Sequence, residues 1–80
     1  MNAKEMFEKL GYKYYEDDIY FLKYYKTYKL SHDKEIKFHK ADKTFAVKDD
    51  NGINYRWINL KELQAISKQI EELGWNKEEK

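Results

Sequence analysis

The tripeptide Leu-Gly-aromatic occurs twice in this chain, as Leu10-Gly11-Tyr12 and Leu73-Gly74-Trp75, each time closing a segment whose apolar residues recur at helical spacing. That pattern is a helix stop. Glycine enters the left-handed conformation that side-chain-bearing residues resist, and the aromatic that follows folds back on the last turn. Each segment also carries a start signal: Asn2 precedes Glu5 by three positions, and Asn59 precedes Glu62 by three. At this spacing the asparagine accepts from a first-turn backbone N–H while the glutamate reaches back to the cap.

Two helices are therefore predicted. The first presents Ala3, Met6, Phe7 and Leu10 as its apolar stripe, with Tyr12 placed to fold back on Phe7. The second lines Leu60, Leu63, Ile66, Ile70 and Leu73 along one face, with Lys61, Lys68, Gln69, Glu71 and Glu72 mainly on the other. Ile58 and Leu63 are placed as a hydrophobic staple at its entrance, and Trp75 is placed to close on Ile70. The residues ahead of the two stops do not match, so the shared grammar is convergent capping rather than an internal repeat.

Between the helices the period changes from 3.6 to 2, with turn signals at 31–33, 41–43 and 49–52. Ile36 and Phe38 share one face of a strand, Phe45 and Val47 one face of the next, and Ile53, Tyr55 and Trp57 one face of the last. All three sets are expected to cover the core. In the long strand from Ile19 to about Lys29, Tyr20, Leu22, Tyr24 and Tyr28 compete with Ile19, Phe21 and Tyr25 for the inward position, and a bulge would let both sets contribute. Residues 12–15 add a short edge strand turning at 16–18.

The consistent fold class is α+β: N-terminal helix, antiparallel β-meander of three to five strands, C-terminal helix, both helices on one face of the sheet. Eighty residues form one domain, residues 1–75, followed by a charged flexible tail, residues 76–80. The outer sheet face then presents Lys37, His39, Thr44, Ala46, Lys48, Asn54 and Arg56, joined by Lys23 and Tyr25. Seven of the eight tyrosines lie between Tyr12 and Tyr28, so burying one strand face leaves large amphipathic rings on the other.

Composition narrows the function classes. Without cysteine there is no disulfide or thiolate metal site, and a reducing compartment fits best. No signal-peptide stretch or apolar membrane span is present, so a soluble cytoplasmic protein is expected. Net charge is +1 but unevenly spread: residues 19–48 hold eight lysines against three acids, and each flanking part has two more acids than bases. A basic sheet beside more acidic helices is one reading; lysines that only solubilise strand edges is the other.

No motif carries catalysis. His32 and His39, seven apart, do not make a metal site, and Asp49 to Gly52 reads as a hairpin turn because Val47 stands where a calcium loop needs its first carboxylate. Ser31 beside His32 is adjacency in a turn rather than an activated nucleophile. The chain is read as non-enzymatic, with no cofactor and no metal. Nucleic acid remains a competing partner, since lysines bracket Tyr25 and His39 on an open sheet. Against it stand the near-neutral total, a single Arg and the lack of a Gly-aromatic RNA-binding pattern.

The opening Ala3-Lys4-Glu5-Met6-Phe7-Glu8-Lys9-Leu10-Gly11-Tyr12 and the closing Leu63-Gln64-Ala65-Ile66-Ser67-Lys68-Gln69-Ile70-Glu71-Glu72-Leu73-Gly74-Trp75 flank a run of aromatic strands. In that order they resemble small uncharacterised proteins encoded in phages and prophages of Gram-positive bacteria. The resemblance spans nearly the whole chain and brings no catalytic residues. It implies an inhibitor or adaptor of host machinery. Anti-defence proteins, anti-CRISPR proteins among them, belong to that class, though no motif assigns the chain there. A charge of +1 argues against an acidic mimic of DNA.

The expected function is thus a non-enzymatic protein that binds a bacterial host protein. Tyr25 and Tyr28 are the expected anchors, Arg56, Lys37 and Lys48 the polar specificity contacts, with Lys23 and His39 beside them. The alternative is a small nucleic-acid-associated protein using the same face. Both a monomer and a homodimer joined through the edge of the long aromatic strand fit the sequence.

Overall fold

The computed structural model describes residues 1–27, 33–49 and 58–76. Helix α1 spans Ala3–Lys9, strands β1 Lys13–Asp17, β2 Phe21–Thr27, β3 Asp33–His39 and β4 Thr44–Asp49 follow, and helix α2 spans Leu60–Leu73. The four strands pair antiparallel in chain order, β1-β2-β3-β4. The α+β meander between two helices is therefore the observed fold. The expected last strand, with Ile53, Tyr55 and Trp57, lies outside the described residues, as do most of the turns at 31–33 and 49–52 and the tail from residue 77.

Both helices start and stop as their residues dictate. Asn2 and Asn59 are N-caps with complete capping boxes to Glu5 and Glu62. After α1, Gly11 sits at φ 93° and Tyr12 N–H donates to Phe7 C=O at 3.0 Å; after α2, Gly74 sits at φ 77° and Trp75 N–H donates to Ile70 C=O at 3.2 Å. These are two Schellman closures. The Tyr12 ring meets Phe7 edge-on at 5.6 Å, which seals the first.

One core joins both helices to one face of the sheet: Phe7 from α1, Tyr12, Leu22 and Tyr24 from β2, Ile36 and Phe38 from β3, Ala65 and Ile66 from α2. Phe7 stacks on Tyr24 at 4.0 Å and meets Phe38 edge-on at 6.4 Å. The two helices run antiparallel, because Glu72 near the end of α2 accepts from Ala3 N–H at 2.8 Å while Glu62 near its start accepts from the Tyr12 hydroxyl at 2.6 Å. Glu72 thereby adds a carboxylate to the positive end of α1.

The ambiguous strand resolves in favour of the even positions. Leu22 and Tyr24 point inward, paired with Phe38 and Ile36, while Phe21, Lys23 and Tyr25 point outward. The bulge lies in β1, between Tyr14 and Glu16, not in the long strand. It takes up the extra residue on the partner side and leaves β2 in uninterrupted register with β3. Ile19 and Tyr20 precede the strand and are exposed, held in a turn where Asp18 Oδ1 accepts from the N–H groups of Tyr20 and Phe21.

Three further expectations are corrected. Phe45 faces the helix side opposite Phe38 but is 42% exposed. The buried face of α2 comprises Glu62, Ala65, Ile66 and Gln69, while Leu60 and Leu63 are 68% and 48% exposed. The helix is turned from the orientation its leucines suggest because polar groups beneath it need partners: Gln69 Oε1 accepts from the Tyr24 hydroxyl at 2.7 Å, and Glu62 meets Lys34. Finally, β2 is hydrogen-bonded to β1 from Leu22 to Tyr25 and to β3 from Phe21 to Thr27, so Leu22 to Tyr25 are not a free edge for self-association.

Candidate functional site

Inward-facing polar groups are already satisfied within the fold. Lys34 alternates with Ile36 and Phe38 and so lies on the inner face, where its Nζ reaches both Glu62 carboxylate oxygens at 3.0 Å. Burial disfavours the Glu62 carboxylate, but donors from the Tyr12 hydroxyl, the Asn59 N–H and Lys34 outweigh it and hold the group below its usual range. Tyr14, at the inner edge, is pushed up to about 12 by burial and by its hydrogen bond with Asp17. Asp17 is held low chiefly by Lys40, which also donates to Asp18 C=O at 2.6 Å. These groups tie α2 and β1 to the rest of the sheet.

The outer face is different. Among the described residues no helix covers it, and alternation brings Phe21, Lys23 and Tyr25 of β2 beside Glu35, Lys37 and His39 of β3 and Thr44, Ala46 and Lys48 of β4. Of the expected site residues, Lys23, Tyr25, Lys37, His39 and Lys48 are thus brought together, whereas Tyr28, Arg56 and Asn54 lie outside the described residues. Two aromatic residues were absent from the expected set. Phe21 competes for the interior in the sequence pattern, and Tyr15 reaches this face through the β1 bulge, its ring 5.1 Å from Tyr25 and 55% exposed.

Two neighbourhoods divide the face. At one end Phe21 meets the His39 ring at 5.0 Å, while the ammonium groups of Lys23 and Lys37 lie 5.2 and 4.9 Å from its centroid. Rings bearing nearby cations on an exposed surface hold them by the ring quadrupole, about 0.5–1 kcal/mol each. At the other end Tyr15, Tyr25, Asp33, Glu35 and Lys48 line an open depression of about 320 Å³. The face is therefore of mixed sign, not a uniformly basic sheet: Glu35 alternates with Lys37, a position that period-two reading of β3 puts on this side.

His39 adds a polar contact at the rim. Its Nδ1 lies 3.2 Å from the Asp42 backbone N and 3.1 Å from Asp42 Oδ2, so a neutral ring accepts from the former and a protonated ring donates to the latter. The tight turn that brings Asp42 there ends at Lys43, a non-glycine residue at φ 58°, whose N–H donates to His39 C=O at 3.0 Å.

No family model, curated protein or solved structure matches the chain. No helix among the described residues is long and apolar enough to cross a membrane.

Proposed function

We propose that this chain is a non-enzymatic binding protein of phage or prophage type, acting in the bacterial cytoplasm as an inhibitor or adaptor that holds a host protein by the outer face of its sheet. The observation that supports the reading is the row of Tyr15, Tyr25 and Phe21, which no described element covers, set among lysines on a four-stranded sheet. Tyrosine and phenylalanine in such a position offer large contact area at low cost in side-chain entropy, the composition of binding hot spots.

A pull-down from bacterial lysate with nuclease treatment tests it, comparing wild type with the Tyr15→Ser/Tyr25→Ser variant. A host protein retained by the wild type after digestion and lost by the folded variant supports the reading. Equal capture by both overturns it.

The second reading is a small nucleic-acid-associated protein, favoured by the collar of Lys23, Lys37 and His39 around Phe21. Phosphate contacts make affinity fall steeply with added salt, so a salt titration against single-stranded DNA separates the two.

A further inference from the structure

The register of β2 and β3 sets Lys23 directly opposite Lys37 on the outer face. Like charges directly opposite each other across antiparallel strands are destabilising. Lys23 has Glu16 as its Cα partner on the β1 side, but the residue opposite Lys37 on the β4 side is Ala46. Among the described residues Lys37 makes no hydrogen bond or ion pair, and its cation contact is with Phe21. Both ammonium groups approach that one ring, which also meets His39, and Lys23 lies near the Tyr15 ring as well. The arrangement gathers two ammonium groups at one point of an otherwise mixed surface.

Resting on the binding reading above, we infer that the Lys23–Lys37 pair over Phe21 receives a carboxylate from an acidic segment of the partner protein. An incoming carboxylate forms charge-assisted hydrogen bonds with either ammonium. The neighbouring row favours protein over nucleic acid. It holds Tyr25, Glu35 and Lys48, with Asp33 beyond, so a phosphate chain continuing along the face meets carboxylates after the first contact. A protein surface instead places one acid at the lysine pair and other groups against the tyrosine depression, which is complementarity of alternating sign.

The test is a titration of isotope-labelled protein with acetylated triglutamate peptide, using triglutamine and a short oligothymidylate as comparison probes and following the amides of Phe21, Lys23 and Lys37 and the lysine ε positions. Saturable shifts confined to these residues with triglutamate, at least tenfold weaker with triglutamine and lost in Lys23→Gln/Lys37→Gln, are the expected result. Unchanged peptide shifts in the folded double variant, whatever its Tm, make the lysines bystanders and overturn the inference. So does tighter binding of oligothymidylate than of triglutamate, or the absence of localised shifts. If a captured host protein is released by Tyr15→Ser/Tyr25→Ser but held undiminished by the double-lysine variant, the acidic contact fails while the binding reading stands.

Discussion

On the inner side of β2 and β3, Leu22, Tyr24, Ile36 and Phe38 are all but inaccessible beneath two helices, whereas on the outer side of the same strands Phe21, Tyr25, Lys37 and His39 remain partly open to solvent. Tyr24 and Tyr25 are adjacent in the chain and have opposite environments. Tyr24 stacks on Phe7, donates to Gln69 and is 1% exposed; Tyr25 meets the exposed Tyr15 ring beside Glu35. A tyrosine's role here follows from the parity of its position once one register is chosen. Polar groups obey the same division: Lys34 inside is held by a dedicated carboxylate, while Lys37 outside is not.

The sharpest way to break the comparison is to truncate one tyrosine on each side. Tyr24→Ala removes a buried ring from the centre of the core and should cost about 3–5 kcal/mol by chemical denaturation, enough to threaten folding in a domain of this size. Tyr25→Ala should cost under about 1 kcal/mol while weakening partner capture, and equal losses at the two sites would mean that the outer ring is structural.

Next in size is the buried pair. Lys34→Met leaves the Glu62 carboxylate without its cation and should cost about 3–5 kcal/mol, while Lys34→Met/Glu62→Leu should recover part of that loss. A denaturation cycle on the two singles and the double measures the coupling. Recovery will be incomplete, because Glu62 also accepts from Tyr12 and Asn59, contacts that leucine cannot make.

Two groups, Glu62 and Tyr14, impose pH windows. The folded-state value of Glu62 lies below its ordinary value of 4.5, so the unfolded chain takes up that proton more readily. Its stabilising contribution is fully present above that ordinary value and is lost as pH falls through the lower folded value. At the alkaline end, Tyr14 is raised from 10.0 to about 12, so its contribution is present below 10.0 and declines as pH rises toward the folded value. Thermal melts across both ranges, with tyrosinate absorbance as the alkaline probe, should show stability declining at each end. A flat profile through the acid window would mean that Glu62 ionises no more readily folded than unfolded.

A smaller effect isolates the helix stop. A Cβ on Gly74 meets nothing within 4 Å, so Gly74→Ala reports the cost of φ 77° alone, about 1–2 kcal/mol. The corresponding change at Gly11 adds a 3.3 Å approach to Lys26 Cδ and should cost at least as much. If Gly74→Ala is neutral, the left-handed closure of α2 is not what holds the Trp75 ring edge-on to Phe38 at 6.0 Å.

Local chemistry made the helices and their ends readable. Asn2, Glu5, Gly11, Asn59, Glu62 and Gly74 act through backbone hydrogen bonds within a few residues, and each occupies the cap or stop its spacing implies. Strand alternation likewise placed Lys37, His39 and Lys48 on the outer face, because period two is a property of the extended chain itself. The register of β2 was not readable in this way. Two aromatic sets of similar size competed, and pairing with Ile36 and Phe38 chose between them.

Tertiary structure also decided which face of α2 is buried. An apolar stripe through Leu60 and Leu63 describes the helix alone, but the packed helix must satisfy Lys34 and the hydroxyls of Tyr12 and Tyr24 beneath it, and Glu62 and Gln69 are the side chains that do so. Leaving two leucines partly exposed costs less than leaving a buried ammonium and buried hydroxyls unpaired. The helices and their ends thus follow from interactions a few residues long, which a linear sequence displays. The strand register, the rotation of α2 and the gathering of Tyr15, Phe21 and Tyr25 on one face follow from contacts between residues far apart in the chain, whose energies exist only once the layers have met.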